Sequence, residues 1–256
     1  MRNRALDLTG TVAMITGAAG GIGVAIAHEL YEAGAALALV DLDIEALHLV
    51  GESFQDPDRV ALFEADLSQD AQTAALPSRV EAELGSVDVL VNNAGLRRIA
   101  PFLEISPESW RQTLDVDLTA PFVLSQAVLP SMLAKGRGKI VNVASMAGLL
   151  AFQNRAAYCA AKAGLIMLTK TITYEHGADG IWCNAIAPGV VETPMTSEYF
   201  TTSEMKVAIE ANAPMHRWAQ PEEIAAPVGF LCGTQSDYIN GTTLLVDGGW
   251  TAGKGY

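Results

Sequence analysis

Val12-Ala13-Met14-Ile15-Thr16-Gly17-Ala18-Ala19-Gly20-Gly21-Ile22-Gly23 is an apolar run that breaks into a cluster of glycines and then into an alanine-rich stretch. A short, unbroken apolar run with β-branched residues predicts a strand buried on both faces, here over 12–16. The pattern that follows predicts a helix over 22–34. Between the two, glycines permit a tight turn and let a ligand approach the backbone closely. A helix that starts at such a turn offers unpaired N–H groups and a partial positive charge to a phosphate. Glycines alone are weak evidence. Their place between a first strand and a helix is what points to a nucleotide pyrophosphate. The spacing is Gly17-x3-Gly21-x-Gly23, not the GxGxxG form.

The same alternation continues along the chain. Apolar runs at 36–40, 60–63, 87–91, 139–144, 181–187 and 243–246 predict six further strands, and stretches near 43–52, 69–85, 107–135, 157–177 and 221–232 predict helices. Strands of near-continuous apolar character separated by helices mean an α/β fold: a doubly wound, seven-stranded parallel sheet with helices on both faces. No linker-like composition and no repeat divides the chain, so residues 1–256 read as one domain. The rhythm breaks at about 189–216, a long excursion expected to carry a binding loop.

Half of the residues are apolar, enough for a full core and against disorder. Sixteen basic against 29 acidic residues give a net charge of −13. That sign argues against nucleic acid or an anionic membrane as the main partner and directs attention to a small-molecule substrate. Cys159, Cys183 and Cys232 have no paired spacing, so neither a disulfide framework nor a metal site is expected. His28-Glu29 begins like a zinc-binding helix motif, but Glu32 stands where the second histidine would be. Residues 1–11 hold no long apolar run, and no stretch reaches the ~18 uninterrupted apolar residues of a membrane span. A cytoplasmic protein is the expectation.

The second strand ends in Val40-Asp41-Leu42-Asp43. An acidic side chain there suits the ribose hydroxyls of NAD and repels a 2′-phosphate. Gly20 leaves no basic side chain in the turn to offset that repulsion. NAD is therefore the expected cofactor, with Asp41 on its ribose, while Asp43 reads better as a helix cap. Further on, Ser145 follows the fifth strand, and Tyr158 and Lys162 are four apart on one face of a predicted helix. A free phenol is a poor base at neutral pH. An ammonium at about 4 Å, with an effective dielectric near 20, favours the phenolate by about 4 kcal/mol. That brings proton transfer within reach. Ser145 would then hold the substrate oxygen.

These motifs, in this order, resemble the short-chain dehydrogenase/reductase family in its single-domain branch, over nearly the whole chain. The resemblance rests on Thr16-Gly17-x3-Gly21-Ile22-Gly23, Asp66-Leu67, Asn92-Asn93-Ala94-Gly95, Ser145 with Tyr158 and Lys162, Pro188-Gly189 with Thr193, and Asp247-Gly248-Gly249. It implies a Rossmann-type sheet and a cofactor site formed by Gly17, Gly21, Ile22, Gly23, Asp41, Asp66, Leu67, Asn93, Ala94, Gly95, Tyr158, Lys162, Pro188, Gly189, Val191 and Thr193. It also implies a mechanism in which Tyr158 is the general acid/base, Lys162 tunes it and binds the nicotinamide ribose, and Ser145 polarises the substrate oxygen. Hydride then passes between a secondary alcohol carbon and the nicotinamide.

One position departs from the family pattern. The family usually places an asparagine in the fourth helix, in a VNL motif, where it holds a water near the lysine. Here the stretch is Asp115-Val116-Asp117-Leu118. Asp117, counted with the catalytic set, either binds that water through an oxygen or competes as a carboxylate for Lys162. For the substrate, Arg97, Gln153 and Arg155 are the candidate polar contacts, with Leu149, Phe152, Met195, Tyr199 and Trp218 as apolar walls. Arg97-Arg98 resembles the basic pair of the family's sugar-acid members. An arginine can fork onto a carboxylate. The expected activity is therefore oxidation of a polyol, sugar or sugar acid. A 3-oxoacyl thioester reductase is the alternative, disfavoured by Asp41 and Gly20. A non-catalytic NAD-binding regulator is another, disfavoured by the intact Tyr158 and Lys162. The fourth and fifth long helices carry excess apolar residues, Leu165, Ile166, Leu168 and Ile172 among them; the resemblance implies that such helices pack between subunits, so a homotetramer is expected, with a dimer as the alternative. The closing residues 251–256 are candidates to reach a neighbouring subunit.

Overall fold

A computed structural model describes residues 6–253. Its strands are β1 (Val12–Thr16), β2 (Ala36–Asp41), β3 (Val60–Glu64), β4 (Val89–Asn92), β5 (Gly138–Val143), β6 (Ile181–Pro188) and β7 (Thr243–Val246). They form one sheet in the order β3-β2-β1-β4-β5-β6-β7, every neighbouring pair parallel. Between them lie α1 (Gly21–Glu32), α2 (Ile44–Gly51), α3 (Asp70–Leu84), α4 (Pro107–Leu114), α5 (Ala120–Lys135), α6 (Ala156–His176), α7 (Ser203–Asn212) and α8 (Pro221–Cys232).

Successive strand residues point to opposite faces, and the two cores divide accordingly. Ala13, Ile15, Leu37 and Leu39 pack with Ile26 and Leu30 of α1, Leu47 of α2 and Ile224 and Val228 of α8. Met14, Ala38, Val40 and Leu90 pack on the other face with Leu76 and Val80 of α3 and Leu124, Val128 and Met132 of α5. This explains why the strands read as unbroken apolar runs rather than as alternating ones. The strand order reverses between β1 and β4. In open parallel sheets that reversal leaves a crevice at the carboxyl ends of the strands, where ligands bind.

Residues 107–135 form one continuous helical stretch, as expected, but it is not uniform. Asp115–Thr119 forms a π-helical turn between α4 and α5. The wide turn aims Asp117 inward, where its carboxylate is fully buried; such turns concentrate at functional sites. By length and composition the combined stretch Pro107–Lys135 could cross a membrane, but Leu124, Val128 and Met132 lie against the sheet in the core. The apolar excess on α6 is also used within the chain. Leu165, Ile166 and Ile172 are buried, and Leu168 packs beside them. The exposed apolar residues of these helices are instead Phe122, Met167 and Tyr174.

The excursion after β6 is structured. It holds a 3₁₀ segment, Pro194–Phe200, and then α7. A parallel bridge between Val191 and Ala219 closes its base. Residues 1–5, at the start of the segment read as lacking a signal, and residues 254–256, part of the candidate subunit reach, lie outside the described residues.

Candidate active site

The glycine turn is built as the residue types require. Gly17 has a φ of +63°, and a Cβ there would sit 2.8 Å from Ala94 Cα. A Cβ on Gly23 would sit 2.1 Å from the Gly17 carbonyl oxygen. Asn93 locks the turn from β4, donating its side-chain N–H groups to the carbonyls of Thr16 and Gly17. Helix α1 then begins at Gly20 with no side-chain cap and no acidic residue in its first turn. Its leading N–H groups therefore remain available to an anion.

At the end of β2, Asp41 Oδ2 accepts from the Ala19 N–H at 2.9 Å, and Oδ1 accepts from the Asp43 N–H at 3.2 Å. Asp43 caps α2, accepting from Ala46 N–H at 3.0 Å, as its sequence position suggested. Asp66 accepts from the Ser68 N–H and hydroxyl. Those bonds, chiefly the one from the Ser68 hydroxyl, hold its carboxyl below the usual range.

One cavity of about 710 Å³ joins these groups, a size within the range of small-molecule sites. Its lining includes Gly17, Gly21, Ile22 and Gly23, then Asp41, Asp66, Leu67 and Asn93–Gly95, and on the far side Pro188, Gly189, Val191 and Thr193. Ser145, Tyr158 and Lys162 line the same space. Ser145 caps the 3₁₀ turn Met146–Gly148, and its Oγ accepts from the Ala147 N–H at 3.1 Å. Its own O–H is left free to donate. Lys162 Nζ donates to the Val143 carbonyl at 3.1 Å and lies 5.6 Å from the centre of the Tyr158 ring.

Asp117 does not line the cavity; it stands behind Lys162. Its Oδ2 is 3.4 Å from Lys162 Nζ, and its Oδ1 accepts from the Leu96 N–H at 2.6 Å. Burial pushes the Asp117 carboxyl up, against the pull of Lys162. Asp117 Oδ2 thus faces the Lys162 ammonium and is buried without a hydrogen-bond partner.

The substrate end differs from expectation in several places. Arg97 and Arg155 line the cavity, and so do Phe152, Met195 and Tyr199. Gln153 is exposed and outside the cavity, as are Leu149 and Trp218. The Leu149 side chain turns to solvent. Trp218 donates to Glu192 and packs on Phe200. Arg98 donates to Gln112 at the surface. Trp250 enters the wall unannounced, 6.3 Å from the Phe152 ring; its place beside Asp247-Gly248-Gly249 was the only available signal. Tyr199, expected as an apolar wall, accepts hydrogen bonds through its hydroxyl from both Arg97 and Arg155. Burial, then the charge of Arg97, holds the Arg155 guanidinium below its usual range.

A family model described as Enoyl-(Acyl carrier protein) reductase matches residues 17–251. The chain belongs to the short-chain dehydrogenase/reductase family. Among curated relatives of this dehydrogenase/reductase chain, a D-threitol dehydrogenase of Mycolicibacterium smegmatis is 39% identical over 95% of this chain and 94% of its own. A cis-4-hydroxycyclohexanecarboxylate dehydrogenase of Sinomonas cyclohexanicum is also 39% identical, over 94% of this chain and 96% of its own. Among solved structures, a gluconate 5-dehydrogenase from Burkholderia cenocepacia, in complex with NADP and tartrate, superposes with a TM-score of 0.92 at 36% identity, covering 97% of this chain and 98% of that one. A 4-hydroxyisoleucine dehydrogenase complexed with NADH gives 0.90 at 35% identity, covering 96% and 100%. Cofactors with and without the 2′-phosphate thus occur among its neighbours.

Proposed function

We propose that the protein is an NAD-dependent dehydrogenase of a secondary alcohol borne by a polyol, sugar or sugar acid. The observation that carries this reading is the single cavity with the uncapped α1 turn and Asp41 at one end and Ser145, Tyr158 and Lys162 at the other. These residues fit a dinucleotide. The α1 N–H groups and Gly21–Gly23 would hold the pyrophosphate. Asp41, with an acceptor on each carboxylate oxygen, would take the adenosine ribose hydroxyls. Asp66 and Leu67 would flank adenine, and Pro188, Gly189, Val191 and Thr193 would hold the nicotinamide end. When bound, the nicotinamide supplies the hydride acceptor.

The chain's own part is proton handling and orientation. Ser145 donates its O–H to the substrate oxygen and fixes its direction. Tyr158 takes the alcohol proton in oxidation and returns it in reduction. Lys162, buried and held by Val143 and Asp117, sets its ammonium group on the phenol's side of the cavity. The NAD preference rests on Asp41 and on the exposed Leu42 beside it, which offer no cation to a 2′-phosphate. The same features weigh against a 3-oxoacyl thioester reductase using NADP, the reading closest to the family description. The proposal includes a cytoplasmic homotetramer.

The test is a spectrophotometric screen of nicotinamide reduction, with NAD and NADP separately, over polyols, sugar acids, simple secondary alcohols and hydroxyacyl thioesters. We expect turnover with NAD on a hydroxylated substrate and its loss, by about 100-fold or more, in Tyr158→Phe. Tight NAD binding without turnover on any alcohol would instead favour a regulator.

A further inference from the structure

Two guanidiniums and a phenol, Arg97, Arg155 and Tyr199, line the same cavity as Tyr158. Tyr199 accepts from Arg97 and from Arg155. A phenolic oxygen has two lone pairs, so its own O–H is what remains to be offered. Arg97 is almost wholly buried and gives its other bonds to the Met195 carbonyl and to Glu198, at 2.8 Å. Its Nε is buried without a partner. Arg155 places a single bond, on Tyr199, out of the five N–H donors a guanidinium carries. Its Nε is likewise buried and unpartnered, and among the described residues it makes no ion pair. Two guanidiniums thus converge on one hydroxyl, with one carboxylate, the largely exposed Glu198, between them.

Resting on the dehydrogenase reading above, we propose that Arg155, Arg97 and Tyr199 form a carboxylate-binding subsite and that the substrate is a hydroxy acid rather than a neutral polyol. A polyol hydroxyl brings a proton as well as lone pairs, and two guanidiniums with a phenol already accepting from both offer little to that proton. A carboxylate only accepts, carries the opposite charge and matches the planar guanidinium fork. Arg155 lies three residues before Tyr158, about one helical turn. The carboxylate of a bound substrate therefore sits a few bonds from the carbinol that faces Tyr158. Glu198 occupies one donor of Arg97 from the chain's own side and is displaced there, in part, by the substrate.

The experiment compares each acid with its neutral amide: gluconate with gluconamide, and cis-4-hydroxycyclohexanecarboxylate with its carboxamide. Both are titrated calorimetrically into NADH-saturated protein and assayed for turnover with NAD. We expect the acid that binds best to exceed its amide by at least about 30-fold in affinity, the size of one or two charge-assisted hydrogen bonds. Arg155→Met should bring that ratio down toward one. Glu198→Gln, at an exposed position, should raise it several-fold and covers the case in which Arg155→Met does not fold. A ratio near one in the unmodified protein overturns the proposal, as does a ratio that both variants leave unchanged. If no alcohol is oxidised while the acid still binds through Arg155, the dehydrogenase reading falls and the subsite stands. If neutral alcohols are oxidised and the ratio is near one, the reverse holds.

Discussion

At position 117 a carboxylate stands where the family resemblance leads one to expect a carboxamide. Its ion pair with Lys162 ties down the charge that Tyr158 depends on. Asp117→Asn releases Lys162 toward the phenol, and the alkaline rise of kcat should then begin at lower pH, by about one unit. A pH–rate profile of the two proteins checks this, and superimposed profiles would reject it. The stability effect has its own sign. Burial raises the Asp117 carboxyl, so the folded protein holds that proton more tightly than the unfolded chain. Its contribution favours the fold in acid and is lost as pH rises through the folded value. The difference in Tm between the two proteins should therefore shift in favour of Asp117→Asn as pH is raised. The sequence exposed the anomaly at 117 and, through the family resemblance, offered Lys162 as one of two partners; the 3.4 Å approach of the two groups is set by the fold. The part played by Tyr199 was hidden: its ring reads as apolar, and the arginines that use its hydroxyl come from two distant segments.

Elements defined by local chemistry were legible. The strand at 12–16, the glycine turn and the strand at 243–246 agree with the structure, because apolar runs bounded by glycines leave few alternatives. The π-helical widening at 115–119 was not legible, since such a turn is set by what its inward side chain meets rather than by propensity. The glycine turn supports a direct test. In Gly23→Ala the new methyl meets the Gly17 carbonyl 2.1 Å away, backbone that cannot move without opening the turn. A loss of about 1–3 kcal/mol in stability is expected from the overpacking. Cofactor affinity should fall further than stability does, because the turn is the proposed pyrophosphate seat. Denaturant melts alongside cofactor titration separate the two effects; equal losses would argue that the turn is only structural.

For the whole molecule, seven strands and the position of the site followed from the order of motifs, whereas the surfaces did not. The apolar residues expected between subunits pack inside the chain, and Phe122, Met167 and Tyr174 are the ones left at the surface of α5 and α6. A homotetramer joined through these helices should sediment as such at micromolar concentration, and Tyr174→Glu with Met167→Glu should dissociate it. A monomer in the unmodified protein would refute the assembly. The bonds from Arg97 to Met195, Glu198 and Tyr199 also bear on speed. They fasten the excursion to the segment after β4 that lines the same cavity, so release of a reacted molecule is expected to wait for that clasp to part. Opening of such segments often limits kcat. Turnover should then slow as the solvent is made more viscous, and Glu198→Gln should weaken that dependence, so that the exit step rather than the chemistry sets the pace of the enzyme.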